Sequence, residues 1–149
     1  MPALARARAC SLHMSKSKNL PIYRASYELL SLVTELIRHF ARDFRPSLGQ
    51  RLHNEAVLLV LMIYRANAAE DKLPHIGKLL ETLQVVEMLL QLSADLKLIS
   101  LKQYARSAEL TADIGRQAGG WQKFAASGNG SRKNHVSRLN ASPAAGLPR

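Results

Sequence analysis

Five histidines, eleven carboxylates and one cysteine are the side chains with which this 149-residue chain could do acid–base, nucleophilic or metal chemistry. Their spacing argues against all three. Helical metal ligands must stand three or four residues apart to share a face, and His53-Asn-Glu55 does not. His39 and Asp43 do have an i, i+4 relation, but an isolated pair of this kind reads as a surface pair rather than a general base. His75 falls at a helix start, where a polar residue is routine. The lone Cys10 excludes an internal disulfide framework and a cysteine-based zinc site, and it fits a reducing, cytoplasmic setting. There is no glycine-rich phosphate loop, no Gly-x-Ser-x-Gly elbow and no pair of inward carboxylates. Glu87, the one acid near the apolar stripes, reads as a snorkelling or interface-paired glutamate. No catalytic residue, metal or cofactor is expected; the chemistry is that of binding.

What the chain does carry is positive charge, a net +10 at neutral pH. Residues 1–20 contribute Arg6, Arg8, Lys16 and Lys18, and residues 125–149 contribute Arg132, Lys133, Arg138 and Arg149; neither stretch has an acid. The middle of the chain is left with a net charge of +2. Basic tails suit nucleic acid or another anionic surface, or simply keep the protein in solution. Within the middle, Arg38, Arg42 and Arg45 recur on one side of a helix by the 3.6-residue period, and Arg51 continues the stripe across a turn. These four arginines are the candidate phosphate contacts, with an ordinary solvated face as the alternative. The face Lys102, Arg106, Glu109, Asp113 and Arg116 alternates in sign and reads as solvated. The Arg-x(4–6)-His spacing of four-helix ribonucleases falls in the tail, at Arg8 and His13, which does not support a nuclease.

The elements that must position these residues are helices. Aromatic residues are only 5% of the chain, and Leu and Ala abound. A first helix is expected from about Pro21 to Phe44, with Asn19 as N-cap, ended by Arg45-Pro46. Ser47-Leu-Gly-Gln50 reads as a capping box opening a second helix to about Ala69. Asp71 and Pro74 open a third, to about Leu98. Ser100-Leu-Lys-Gln103 repeats the box and opens a fourth, ending near Phe124. Helices of about 24 residues are about 36 Å long, and links of a few residues force antiparallel neighbours. The expected fold is an all-α, up-down-up-down four-helix bundle over residues 19–124, flanked by disordered basic tails at 1–18 and 125–149. Met14 is a candidate start. No secretory signal precedes the bundle. The longest apolar run, Ala56 to Tyr64, is far short of the roughly 20 residues a membrane span needs.

The apolar positions exceed what one bundle needs. The first helix has a single core row, Leu29, Val33, Leu36, Ile37, Phe40 and Phe44. The second has two: Leu48, Leu52, Ala56, Leu59 and Ile63, then Val57, Val60, Leu61 and Tyr64. In the third, Ile76, Leu79, Leu80, Leu83, Val86 and Leu90 are accompanied by Val85, Met88, Leu89, Leu92 and Leu96. The fourth places Ala108, Ala112, Gly115 and Gly119 at close-packing spacing, with Leu110, Ile114 and Trp121 on another side. A second apolar face implies a second buried surface. The expected oligomer interface therefore comprises Val57, Leu61, Tyr64, Val85, Met88, Leu89, Leu92, Leu110, Ile114 and Trp121.

The segment Ile114-Gly-Arg-Gln-Ala-Gly-Gly-Trp-Gln-Lys123, preceded by Ala94-Asp-Leu-Lys-Leu-Ile-Ser-Leu-Lys-Gln-Tyr104 and by Ile22-Tyr-Arg-Ala-Ser-Tyr-Glu-Leu-Leu30, resembles the accessory variability determinant (Avd) proteins of diversity-generating retroelements. These belong with the four-helix proteins encoded in ribosomal RNA intervening sequences. The resemblance covers roughly residues 20–124. It implies a ring-like homopentamer with a basic surface that binds the element's reverse transcriptase and its RNA or DNA, supports mutagenic copying, and is not itself catalytic. Gly115, Arg116, Gly120 and Trp121 match the family ending and carry over as structural and assembly positions. Gln84, Glu87 and Gln91 stand on the third helix where members often carry basic residues. Two other functions fit the same residues: a general RNA-binding bundle of the intervening-sequence type, and a structural adaptor whose second apolar faces dock a partner helix.

Overall fold

The computed structural model describes residues 18–139, with side chains described as far as residue 128. Four α-helices run through them: α1 Pro21–Arg38, α2 Gln50–Ala68, α3 Leu73–Asp95 and α4 Leu101–Leu139. A π-helical turn, Arg45–Gly49, feeds directly into α2, and there is no strand among the described residues. Each helix packs on its neighbour in the chain, and α1 and α4 close the ring, as in an up-down-up-down four-helix bundle.

In the first three helices the inner rows are those that the helical period selects, whereas in α4 Leu110, Ile114 and Ala118 face the core. Leu29, Val33 and Leu36 of α1 meet Leu52, Leu59 and Ile63 of α2, Leu79, Val86 and Leu90 of α3, and Ile114 and Ala118 of α4 in one core. Buried hydroxyls in this core turn back onto their own helix: Thr82 onto Lys78, Ser93 onto Leu89 and Thr111 onto Ala108 carbonyls. These three hydroxyls therefore bring no desolvated donor to oppose packing. The Ser26 hydroxyl has no such partner.

Prolines and caps set the starts. Pro21 stands in the first turn of α1, where its missing N–H costs nothing. The cap position is Leu20, with no side-chain hydrogen bond, rather than Asn19. The box at α4 forms as expected: Ser100 Oγ accepts from the Gln103 amide at 3.1 Å, and Gln103 Oε1 accepts from the Ser100 amide at 2.8 Å. At α3 the Asp71 carboxylate accepts from the Leu73 amide at 3.2 Å.

The corner between α1 and α2 departs from expectation. α1 stops at Arg38, not Phe44, because Phe40 leaves the helix to fill the core at 1% exposure. The exposed carbonyls at the end of α1 are taken by Arg45, whose Nη2 donates to Arg38 O and whose Nε donates to Phe40 O, both at 2.9 Å. Pro46 therefore opens the next segment instead of closing the first. The box at Ser47 does not form. The Gly49 amide bonds Phe44 O at 2.9 Å, the i→i+5 pattern of a π turn. Ser47 Oγ instead turns back toward the Asp43 and Phe44 carbonyls, and Gln50 bonds Asn54. A Cβ on Gly49 would lie 3.0 Å from Ile37 Cγ2, so the two elements meet at a glycine.

A second basic hook closes α2. Lys72 Nζ donates to the carbonyls of Ala66, Asn67 and Ala69 at 3.0–3.2 Å, placing an ammonium on the negative end of the helix. α3 ends in a Schellman turn, in which the Leu98 amide bonds Ser93 O and the Lys97 amide bonds Ala94 O, both at 2.9 Å. Lys97 holds the left-handed position of that turn with φ 58°, a conformation costly for a residue with a Cβ. Lys97→Gly is expected to raise stability by about 0.5–1 kcal/mol, readable as a higher urea midpoint with an unchanged slope. α4 runs 39 residues and passes the expected end near Phe124. The expected C-terminal tail is thus helical as far as Leu139; residues 1–17 and 140–149 lie outside the described residues.

Candidate nucleic-acid interface

The four candidate arginines surround the α1–α2 corner, but they do not form one helical stripe, since α1 has ended before Arg42. Arg38 and Arg45 line a cleft of about 420 Å³ together with Thr34, Ile37, Gly49, Gln50 and His53. Arg42 and Arg51 are not among its walls. Three of the four cations already have protein partners. Arg38 Nη1 meets Glu35 Oε2 at 3.0 Å, and Arg51 Nη2 meets Glu55 Oε1 at 2.8 Å. Arg45 is committed to the end of α1. Arg42 is exposed and has no ion pair or hydrogen bond among the described residues. Pairs as exposed as Arg38–Glu35 contribute little and open readily, so Arg38 and Arg42 are the cations most available to a phosphate. Arg45 acts through position, holding the corner in shape.

His39 Nδ1 lies 3.1 Å from the Glu35 carbonyl instead of pairing with Asp43. Among the described residues, no group of three His, Cys, Asp or Glu side chains could hold a metal ion. The sign-alternating face of α4 is a run of ion pairs. Arg116 bonds Asp113, and Arg106 bridges Glu109 on its own helix and Glu28 on α1. The hydrogen bond to Glu109, then the charge of Glu28, hold the Arg106 guanidinium above its usual range. On α3, Gln91 accepts from the Tyr104 hydroxyl at 2.6 Å and donates to Asp95 at 2.9 Å, so it ties α3 to α4.

The outer apolar residues divide. Val57 (43% exposed) and Leu61 remain uncovered on α2, as do Met88 (60%) and Leu92 on α3 and Leu96 at its C-cap. Tyr64, Val85 and Trp121 are half-buried. Leu89, Leu110 and Ile114, expected on the outer faces, are instead buried within the bundle. Each helix is flanked by two others, which cover a wider arc of its surface than a single stripe. Of the two glycines in the small-residue row of α4, Gly115 meets another helix closely, with a Cβ there 3.4 Å from Leu83 Cδ2. Ala112 is exposed, and nothing stands near Gly119 or Gly120. Arg116 is exposed, and Trp121 packs on the core beside Leu20, Pro21 and Ile22.

A second open cleft, of about 600 Å³, lies on the outer face of α1 and is lined by Lys18, Tyr23, Arg24, Tyr27, Glu28 and Ser31. Its sequence signal is the pair of tyrosines four residues apart. That signal is easily missed, because one turn of aromatic residues is normally core.

No helix among the described residues is long and apolar enough to cross a membrane. A family model described as bAvd-like matches residues 20–125, the span that holds α1, α2, α3 and the bundled part of α4. No curated protein matches the chain.

Proposed function

The chain belongs to the bAvd-like family, and on that premise we propose that it is a non-catalytic accessory protein of a diversity-generating retroelement. It assembles as a homo-oligomer, a pentamer by the family resemblance. In the cytoplasm it holds the element's reverse transcriptase and its template RNA or DNA together during mutagenic copying. The observation that carries this reading is the family match across the whole bundle.

Two features of the molecule support it. The exposed rows, Val57 and Leu61 on α2, and Met88 and Leu92 on α3 with Leu96 at its C-cap, are larger than a solitary bundle needs. Residues 21–124 carry a net charge of only +2 per subunit, so strong phosphate binding by the bundle requires repetition. A closed ring presents the Arg38, Arg42, Arg45 and Arg51 corner once per subunit, and weak contacts on one rigid body act together through effective concentration.

The test is RNA binding by the full chain and by the variant Arg38→Gln with Arg42→Gln, which leaves the structural Arg45 intact. For every phosphate that these cations no longer neutralise, the slope of log K against log salt should fall by roughly 0.7–0.9. Equal affinity and an equal slope at unchanged oligomer mass would mean that the corner is only solvated surface.

A further inference from the structure

We infer that the outer face of α1 is a stacking track for single-stranded nucleic acid, with Tyr27 as its platform and Arg24, Arg38 and Lys18 as its phosphate contacts. This rests on the nucleic-acid reading above and gives it a strand type and a second locus.

The α1 period places Tyr23, Tyr27, Ser31, Thr34 and Arg38 on successive outward turns. The cleft at Lys18–Ser31 and the cleft at Thr34–His53 therefore adjoin along one helix, end to end over about 27 Å. The Tyr23 and Tyr27 rings are nearly parallel, with 14° between planes and centroids 6.3 Å apart. Tyr23 is half-buried and braces Tyr27, which is 57% exposed. A tyrosine fixed from behind and open in front loses little rotational freedom on binding, and it offers a face to any unpaired base.

The charge around it is suited to a phosphodiester chain. Arg24 stands beside the two rings with its guanidinium free of any ion pair or hydrogen bond among the described residues. Glu28, the acid beside the rings, is neutralised in place by Arg106 of α4, and the exposed Glu35–Arg38 pair opens readily to a phosphate. Exposed aromatic rings interleaved with cations are the arrangement that binds single strands without reading sequence. A duplex, with its bases stacked inside, gains nothing from Tyr27 and meets only the cations.

Binding of a short unstructured single-stranded RNA, and of the same RNA annealed to its complement, tests this on the full chain by fluorescence anisotropy. Tyr27→Ala should weaken single-strand binding about tenfold or more without altering its salt slope, since no charge is removed. Tyr27→Phe should retain it, and both variants should bind the duplex like the parent chain. Arg24→Gln should lower the slope for both ligands. If the parent chain binds RNA but Tyr27→Ala binds the single strand equally well, the stacking track is wrong while the nucleic-acid reading stands. If the parent chain binds neither ligand, both fall together.

Discussion

Replacing Met88 and Leu92 together with glutamate is expected to leave a folded monomer. Both side chains are exposed on α3 and contribute nothing to the core, so the bundle should keep its helical content. Covering the part of each that is still exposed would contribute about 1 kcal/mol or more to an interface, and a buried unpaired carboxylate would cost several times that. Losing two, with a charge put in their place, should weaken association more than a hundredfold. Light scattering should then report the single-chain mass, and circular dichroism an undiminished helix signal. An unchanged oligomer mass would place the interface elsewhere. Leu89, one residue from Met88, would be a misleading choice, because at 7% exposure its replacement with glutamate would break the bundle itself.

Phe40→Ala should have the largest effect on stability. The ring is almost wholly buried and is the reason that α1 ends where it does. Its removal opens a cavity at the corner where α1, the π turn and α2 meet, and it frees the backbone that Arg45 grips. A Phe→Ala change at such a site costs about 3–5 kcal/mol, a large share of the roughly 5–15 kcal/mol available to a domain. Urea unfolding should show the free energy of unfolding lowered by that amount. A drop under about 1 kcal/mol would mean that Phe40 is not what shapes the corner.

The same corner shows where sequence reasoning stops. Helix number, the inner rows of α1, α2 and α3 and the box at Ser100 and Gln103 are local, periodic features, and the molecule has them. The box at Ser47 and Gln50 has identical spacing, but the chain enters α2 through a π turn that a buried Phe40 and a close approach at Gly49 impose from outside the motif. Arg45 and Lys72 look like surface cations in a sequence. Their roles as helix-end hooks depend on reaching back five to seven residues in the one case and three to six in the other, across turns whose shape no pattern announces. The phosphate-contact stripe is legible as a cluster of charge, but not as a geometry, because its regularity assumes a helix that continues past Arg38.

Leu89, Leu110 and Ile114 escape sequence reasoning for a different reason. A helical wheel gives the direction of a side chain, not how far its neighbours extend around the helix, and in a closed ring of four they extend far. Val57, Leu61, Met88, Leu92 and Leu96, by contrast, keep a third or more of their surface exposed.

In the function proposed above, an assembly of this chain, rather than a single bundle, binds nucleic acid through repeated cationic surfaces. The most direct measurement is the affinity of the full chain for a structured RNA across a series of salt concentrations, taken beside the same series for the Met88→Glu, Leu92→Glu variant. The parent should bind tightly, with an affinity that falls steeply with salt. The variant should bind far more weakly and with a shallower slope, because fewer phosphates are engaged at once. Equal affinities and equal slopes for the two proteins, with the variant verified as a monomer, would contradict the claim.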